Sequence, residues 1–132
     1  MAVVIERDPQ RGWIVVRATG PLRIDEMLQI IRTARATVEK RMVPMLFDAR
    51  EAQGPISDAD VEQAVAAVQA AMKAGGIRGH VAMVAIDEAL YEGLLRYEAR
   101  CADIGVRVMR VFRHLPDAEE WLEILSAARD FR

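Results

Sequence analysis

The chain has 132 residues, a length that fits one domain and leaves little room for two. Its 18 Lys and Arg residues against 20 Asp and Glu residues give a formal charge of -2, which argues against a basic nucleic-acid-binding protein. The single cysteine excludes an internal disulfide and a metal cluster built on cysteines. We therefore expect a single domain over residues 1–132 that binds no nucleic acid.

The lengths of the apolar runs indicate the cellular compartment in which the protein is expected. Residues 1–8 become charged after a few apolar positions, whereas a secretory signal needs an apolar stretch of about 7–15 residues. The longest apolar stretch near the middle, residues 81–86, is far shorter than the roughly 20 residues of a membrane helix. A lone cysteine suits a reducing compartment. The sequence therefore predicts a cytoplasmic protein without a membrane span.

The first part of the chain shows strand patterns and then a helix pattern. Residues 2–6 and 13–18 are rich in β-branched side chains and predict a β-hairpin, which Gly20 is expected to end. Apolar residues three or four positions apart predict an amphipathic helix over residues 23–40. A short apolar run at residues 43–48 follows and predicts a buried strand.

The next segment carries the signals of a second helix. Ser57 is followed three positions later by Asp60, which is close to a capping box. An apolar stripe at helical spacing begins at Val61 and extends to Met72. Gly75 follows the stripe, and glycine is common just after the end of a helix.

The remaining segments repeat the alternation of strand and helix. Residues 81–86 are continuously apolar, which is typical of a central parallel strand that is covered on both faces. Asp87 is a good N-cap for a third helix, and Gly105 is expected to end it. Residues 106–112 predict a last strand near a sheet edge, because arginines interrupt it, and Leu115 opens a final helix.

The order of elements is β-β-α-β-α-β-α-β-α. Strands that alternate with helices predict a mainly parallel sheet with right-handed crossovers, and the initial hairpin makes one strand antiparallel. The sequence therefore predicts an α/β fold with a mixed, mainly parallel five-stranded sheet and helices on both faces.

With these segments in place, the chain resembles the SpoIIAA-like branch of the STAS group, which includes anti-sigma factor antagonists and domains of sulfate transporters. The resemblance extends over residues 4–125. Its matching features are the strand end at Gly20, the segment Leu46-Phe47-Asp48-Ala49-Arg50, and Phe112-Arg113 followed by Ala118 and Trp121-Leu122. The resemblance implies a small cytoplasmic α/β domain, in a branch whose stand-alone members mostly have no assigned activity.

One departure from that group concerns phosphorylation. The antagonist proteins carry a serine or threonine directly after the aspartate that ends the third strand. Here Asp48 is followed by Ala49, which has no hydroxyl group, and Ser57 is better explained as a helix cap. The sequence therefore predicts a relative of these regulators that lacks their usual serine switch.

Candidate ligand-binding residues follow from the predicted topology. In open α/β sheets, ligands bind beyond the carboxyl ends of the parallel strands, where helix N-termini also present free N–H groups. Asp48, Arg50, Asp87 and Arg113 are predicted to lie at that edge. A small anion, a nucleotide or a lipid could bind there. The structural alternatives are an N-cap role for Asp87 and a mutual ion pair of Asp48 and Arg50.

The third helix supplies the candidate interface residues Tyr91, Leu94 and Leu95, because together they widen its apolar surface. Such a helix is either deeply buried or contacts a partner protein or a second copy of the chain. Cys101 lies on the inward stripe of the same helix and is interpreted as a core residue. We predict no metal site, no cofactor and no catalytic residue.

Three hypotheses for the function stay open at this point. The first is a non-enzymatic regulatory or protein-interaction module that binds a protein partner or itself, as a homodimer. The second is a small-molecule binding domain at the polar edge of the sheet. The third is an enzyme with Asp48 or Asp87 as a base, which requires these carboxylates to lie in a pocket.

Overall fold

The computed structural model describes residues 2–37, 43–74 and 79–130. The described elements, in chain order, are β1 (Ala2–Arg7), β2 (Ile14–Pro21), α1 (Ile24–Thr37), β3 (Met45–Gln53), α2 (Asp58–Lys73), β4 (Val81–Val84), α3 (Glu88–Asp103), β5 (Met109–Phe112) and α4 (Leu115–Asp130). This is the order of strands and helices that the sequence predicts.

The five strands form one sheet in the order β1-β2-β3-β4-β5. β1 pairs with β2 in the antiparallel direction, and the other neighbouring strands pair in parallel. The prediction of an α/β fold with a mixed, mainly parallel sheet is confirmed. The prediction that the last strand lies at a sheet edge is also confirmed, because β5 and β1 are the two outer strands.

The helices cover the two faces of the sheet unequally. Each parallel strand lies beside the next one in the chain, so right-handed crossovers put α1, α2 and α3 on one face. The larger apolar core, which includes Phe47 and Leu90, is on that side. α4 covers the opposite face, where Leu122 packs in a smaller core with Trp13 and Leu46.

Two strands extend further than predicted. The sequence predicts β3 over residues 43–48, but the strand extends to Gln53, and β2 continues through Gly20 to Pro21. The reason is that the parallel pairing of β2 and β3 continues, with Thr19 opposite Glu51. Arg50 therefore lies within a strand and not in a loop beyond it, which corrects the prediction.

Two strands are shorter than predicted. β4 ends at Val84, and β5 begins only at Met109. Val106 lies instead in the turn that closes the C-terminus of α3, where its backbone N–H donates to the Cys101 carbonyl at an N–O distance of 2.9 Å. The predicted helix residues 38–40, and Gly75 after α2, lie outside the described residues.

The predicted ends of α2 and α3 are confirmed where the structure describes them. The Ser57 hydroxyl accepts a hydrogen bond from the backbone N–H of Asp60 at 3.1 Å, which makes Ser57 the N-cap of α2. Gly105 follows α3 with a φ of 87°, in the left-handed region that glycine adopts without strain. Within the described ranges, no helix has the length and apolarity that a membrane span requires.

Candidate functional site

A depression of about 480 Å³ lies on the face of the sheet that carries α4. The backbone positions its polar side chains, because successive residues of a strand point to opposite faces. Phe47 points into the larger core, so Asp48 points to the α4 side. We call this site the polar depression; its described lining residues are Arg17, Ala18, Thr19, Asp48, Arg50, Glu51 and Ile86.

An ion pair of Asp48 and Arg50 forms one wall of the polar depression. The Arg50 Nε donates to Asp48 Oδ1 at 2.9 Å, and Nη2 donates to Oδ2 at 2.9 Å. The backbone N–H of Arg50 also donates to Oδ1, at 3.2 Å. Asp48 is only 8% exposed, whereas the Arg50 side chain is 42% exposed. The buried carboxylate therefore fixes the orientation of a guanidinium group that still reaches solvent.

The charge of Asp48 is stabilised by this arrangement. Burial by itself would raise the pKa of the carboxyl group. The hydrogen bonds from the Arg50 side chain and backbone, and the charges of Arg50 and Arg17, outweigh that effect, so the pKa of Asp48 is below its ordinary value. Asp48 is therefore a carboxylate at neutral pH and is a poor candidate for a general base.

The other charged residues of the polar depression are more exposed. The Arg17 side chain is 57% exposed, and its Nη1 lies 3.4 Å from Glu6 Oε2. Glu51 is exposed and forms no ion pair with another described residue. The polar depression thus contains two guanidinium groups and two carboxylates, with Thr19 as an uncharged hydrogen-bonding group.

Asp87, a candidate ligand-binding residue, has a structural role. Its Oδ2 accepts hydrogen bonds from the backbone N–H of Gly54 at 2.9 Å and from that of Leu90 at 3.1 Å. These two bonds lower the pKa of Asp87 below its ordinary value. Gly54 leaves no room for a side chain, because a Cβ atom there would lie 2.6 Å from the Leu90 nitrogen. Asp87 therefore caps α3 and attaches the loop after β3 to it.

Arg113, the fourth candidate, is engaged with α3. Its two terminal nitrogens donate to the two carboxylate oxygens of Glu88, each at 3.0 Å. Its guanidinium carbon lies 3.8 Å from the centroid of the Tyr91 ring, in a cation–π contact. The structure thus brings Asp48 and Arg50 together in the polar depression, but neither Asp87 nor Arg113 is among its described lining residues.

The three candidate interface residues on α3 lie in different environments. Leu94 is only 1% exposed and is part of the larger core. Tyr91 is partly buried beneath Arg113, and Leu95 is 37% exposed. The exposed part of the predicted interface therefore consists of Leu95 and the edge of Tyr91.

Sequence reasoning did not single out Arg17 and Thr19. They alternate with Val16 and Ala18, which are buried in the larger core, so the strand pattern itself places them on the opposite face. That alternation is the signal that could have identified them. Their proximity to Asp48 also depends on the register, in which Arg17 lies opposite Asp48.

Two further observations concern reactive groups. Cys101 is fully buried, and burial raises the pKa of its thiol to about 11. A thiol with that pKa is almost entirely protonated at neutral pH and is a weak nucleophile. Among the described residues, no group of three or more His, Cys, Asp and Glu side chains is placed to hold a metal ion.

Comparisons with known proteins support the fold. No family model matches the chain, and no curated protein matches it either. Among solved structures, the chain is similar to an uncharacterized protein of the DUF3478 family with a SpoIIAA-like fold, from Shewanella loihica PV-4. The two chains are 22% identical, the alignment covers 92% of each, and the TM-score is 0.53. The chain therefore has a SpoIIAA-like fold, as the resemblance implied, and this likeness extends to the fold alone.

Proposed function

We propose that this domain binds a small anionic ligand in the polar depression, with Arg50 and Arg17 as the groups that contact the anion. The observation that carries the proposal is the doubly hydrogen-bonded pair of Asp48 and Arg50 in the wall of that depression. An arginine that is fixed in place loses less side-chain entropy when a ligand binds.

The N–H donors of Arg50 and Arg17 suit a ligand with a carboxylate or phosphate group. Asp48 accepts from the Nε–H and from one N–H of Nη2, so the two N–H groups of Nη1 and the second N–H of Nη2 can donate to a ligand. Arg17 lies opposite Asp48 in the neighbouring strand and contributes a second guanidinium group. The depression of about 480 Å³ is within the range of roughly 300–1,000 Å³ that is common for small-molecule sites.

Glu51 limits which anions are accepted. Its exposed carboxylate lies at the same depression and repels a ligand with several negative charges. Replacement by the uncharged Glu51→Gln should therefore tighten binding, most clearly for the ligand with the highest charge. Wild-type affinity for such a ligand should be modest at physiological ionic strength, because the site is partly exposed.

The test is a titration of the ¹⁵N-labelled protein with inorganic phosphate, succinate and AMP, followed by NMR. At least one of these ligands should shift the backbone signals of Arg17, Thr19 and Glu51. Arg17→Ala should weaken that binding by at least about 10-fold, because it removes a charge-assisted hydrogen bond. Arg23→Ala is the matched control, since the Arg23 side chain is 70% exposed and pairs with Asp25 outside the depression.

Two results would contradict this proposal. One is the absence of signal changes at the polar depression with all three ligands at millimolar concentration. The other is an equal affinity of Arg17→Ala, Arg23→Ala and the wild-type protein. The second result would mean that the anion binds elsewhere, for example at a helix N-terminus.

A second candidate function is the protein-interaction module that the sequence suggested. The observation that favours it is the exposure of Leu95, at 37%, beside the Tyr91–Arg113 contact on α3. For self-association, sedimentation of the purified protein should show a dimer that Leu95→Asp converts to a monomer. Ala99→Asp, also on the exposed surface of α3, is the matched control. A wild-type protein that stays monomeric at high concentration would exclude a homodimer through this surface.

A further inference from the structure

A second cavity lies on the other side of the sheet, between the strands and the helices α1 and α3. Its volume is about 60 Å³, and it is partly open to the surface. We call it the apolar cavity. The residues that matter for the argument are Met27, Met45, Phe47, Met83, Tyr97 and Met109.

The wall of the apolar cavity selects against polar ligands. None of its described lining residues is charged. Among these residues the one side-chain hydroxyl belongs to Tyr97, which is only 5% exposed. Among the described side chains of the wall, a buried polar group of a ligand would find only this hydroxyl as a partner, whereas an ordered water molecule needs two to four partners. The surface therefore suits a hydrocarbon.

The size and composition of the cavity suit a flexible occupant. The volume of about 60 Å³ is larger than the roughly 10–15 Å³ that one water molecule requires on the same measure. Four of the described lining residues are methionines, whose unbranched side chains adapt to the shape of a ligand. An unbranched aliphatic chain matches the flexibility of such a wall, because it can adjust its own torsion angles as the methionines adjust theirs.

We propose that the apolar cavity binds the end of an uncharged, unbranched aliphatic chain. This site is separate from the polar depression, because Phe47 and Asp48 are consecutive strand residues that point to opposite faces of the sheet. The proposal therefore does not depend on the proposed function, and either one can fail without the other.

The experiment uses protein with ¹³C-labelled methionine methyl groups and 1-octanol as the probe. Octanol should shift the methyl signals of Met27, Met83 and Met109. The methyl signal of Met72, which is 37% exposed on α2, should stay in place and acts as an internal control. 1,8-Octanediol has the same chain length but must bury a hydroxyl group, so it should bind at least about 10-fold more weakly.

A pair of variants tests the location of the site. Met27→Phe fills the cavity from α1 and should weaken octanol binding at least about 10-fold, whereas Met72→Phe should bind like the wild-type protein. Should Met27→Phe fail to fold, the wild-type titration alone decides. The proposal is wrong when Met27, Met83 and Met109 shift no more than Met72, or when the diol binds as tightly as octanol.

Discussion

The carboxylate of Glu98 on α3 accepts a hydrogen bond from the backbone N–H of Val111 in the outer strand β5, at an N–O distance of 2.7 Å. Val111 lies opposite Met83 in the parallel pairing, but its N–H points away from β4 and toward the free edge. An exposed N–H at a sheet edge can pair with the strand of another molecule. The hydrogen bond to Glu98 thus occupies one backbone donor of this edge.

Glu98→Ala should make the protein associate at its β5 edge. The substitution leaves the Val111 N–H without its partner, and the lost hydrogen bond should lower the free energy of unfolding by about 1 kcal/mol. Sedimentation over a range of concentrations should detect stronger self-association in Glu98→Ala than in the wild-type protein. Glu92→Ala is the control, because Glu92 is an exposed residue of the same helix. Equal behaviour of the two variants would show that Glu98 does not protect the edge.

Leu122→Ala should destabilise the domain strongly. Leu122 is fully buried between α4 and the sheet, and truncation of such a side chain costs about 2–5 kcal/mol through lost burial and a new cavity. Ile124→Ala on the same helix should change the free energy of unfolding by less than about 0.5 kcal/mol, because Ile124 is 59% exposed. Urea denaturation measures both. Similar losses of stability in the two variants would mean that α4 packs against the sheet through a different side.

The two N-caps should differ in their effect on stability. Ser57 accepts one backbone hydrogen bond, and Ser57→Ala should lower the free energy of unfolding by about 1 kcal/mol. Asp87 accepts two, one of them from Gly54 in the loop after β3. Asp87→Ala should therefore lower the melting temperature more than Ser57→Ala does. The reverse order in thermal unfolding would show that the bond to Gly54 adds nothing.

Asp48 should make stability depend on pH in the acid range. The pKa of its carboxyl group is lower in the folded protein than in the unfolded chain, where it is about 3.9. The ionised form therefore contributes stability that is fully present above about pH 5 and is lost as the pH falls through the folded pKa. In urea denaturation, the stability difference between wild type and Asp48→Asn should be constant from about pH 5 to 7 and shrink below about pH 4.

The same substitution in the Arg50→Gln protein tests whether the pH dependence comes from the ion pair of Asp48 with Arg50. In the Arg50→Gln protein, the stability difference that Asp48→Asn causes should change less between pH 5 and 2.5, because the ion pair is already absent. A stability difference that stays constant down to pH 2.5 in the wild-type background would contradict the role of the ion pair.

The order of elements could be predicted because its signals are local. Ser57, Asp87 and Gly105 mark helix ends through bonds and angles within a few residues of each position. The continuous apolar run after His80 indicates a strand with both faces covered, and β4 is such a strand. These features depend on neighbours in the chain, so the sequence shows them directly.

The composition of the polar depression could not be predicted in the same way. Asp48 and Arg50 are two residues apart, so the sequence offers a mutual ion pair as the structural alternative to ligand binding. Arg17 lies 31 positions before Asp48, and it reaches the site only through the pairing of β2 with β3. That pairing includes a register shift between Arg17 and Thr19, and no local sequence pattern predicts this shift. The lengths of β2 and β3 were underestimated for the same reason.

The unequal distribution of helices over the two faces has a consequence for synthesis on the ribosome. A nascent chain can cover one face of the sheet as soon as α1, α2 and α3 have emerged. The other face, with Trp13 and Leu46, stays bare until the segment from Leu115 onward has left the exit tunnel. During that interval the chain exposes an apolar sheet surface, the kind of surface that chaperones bind and that promotes aggregation when translation stalls.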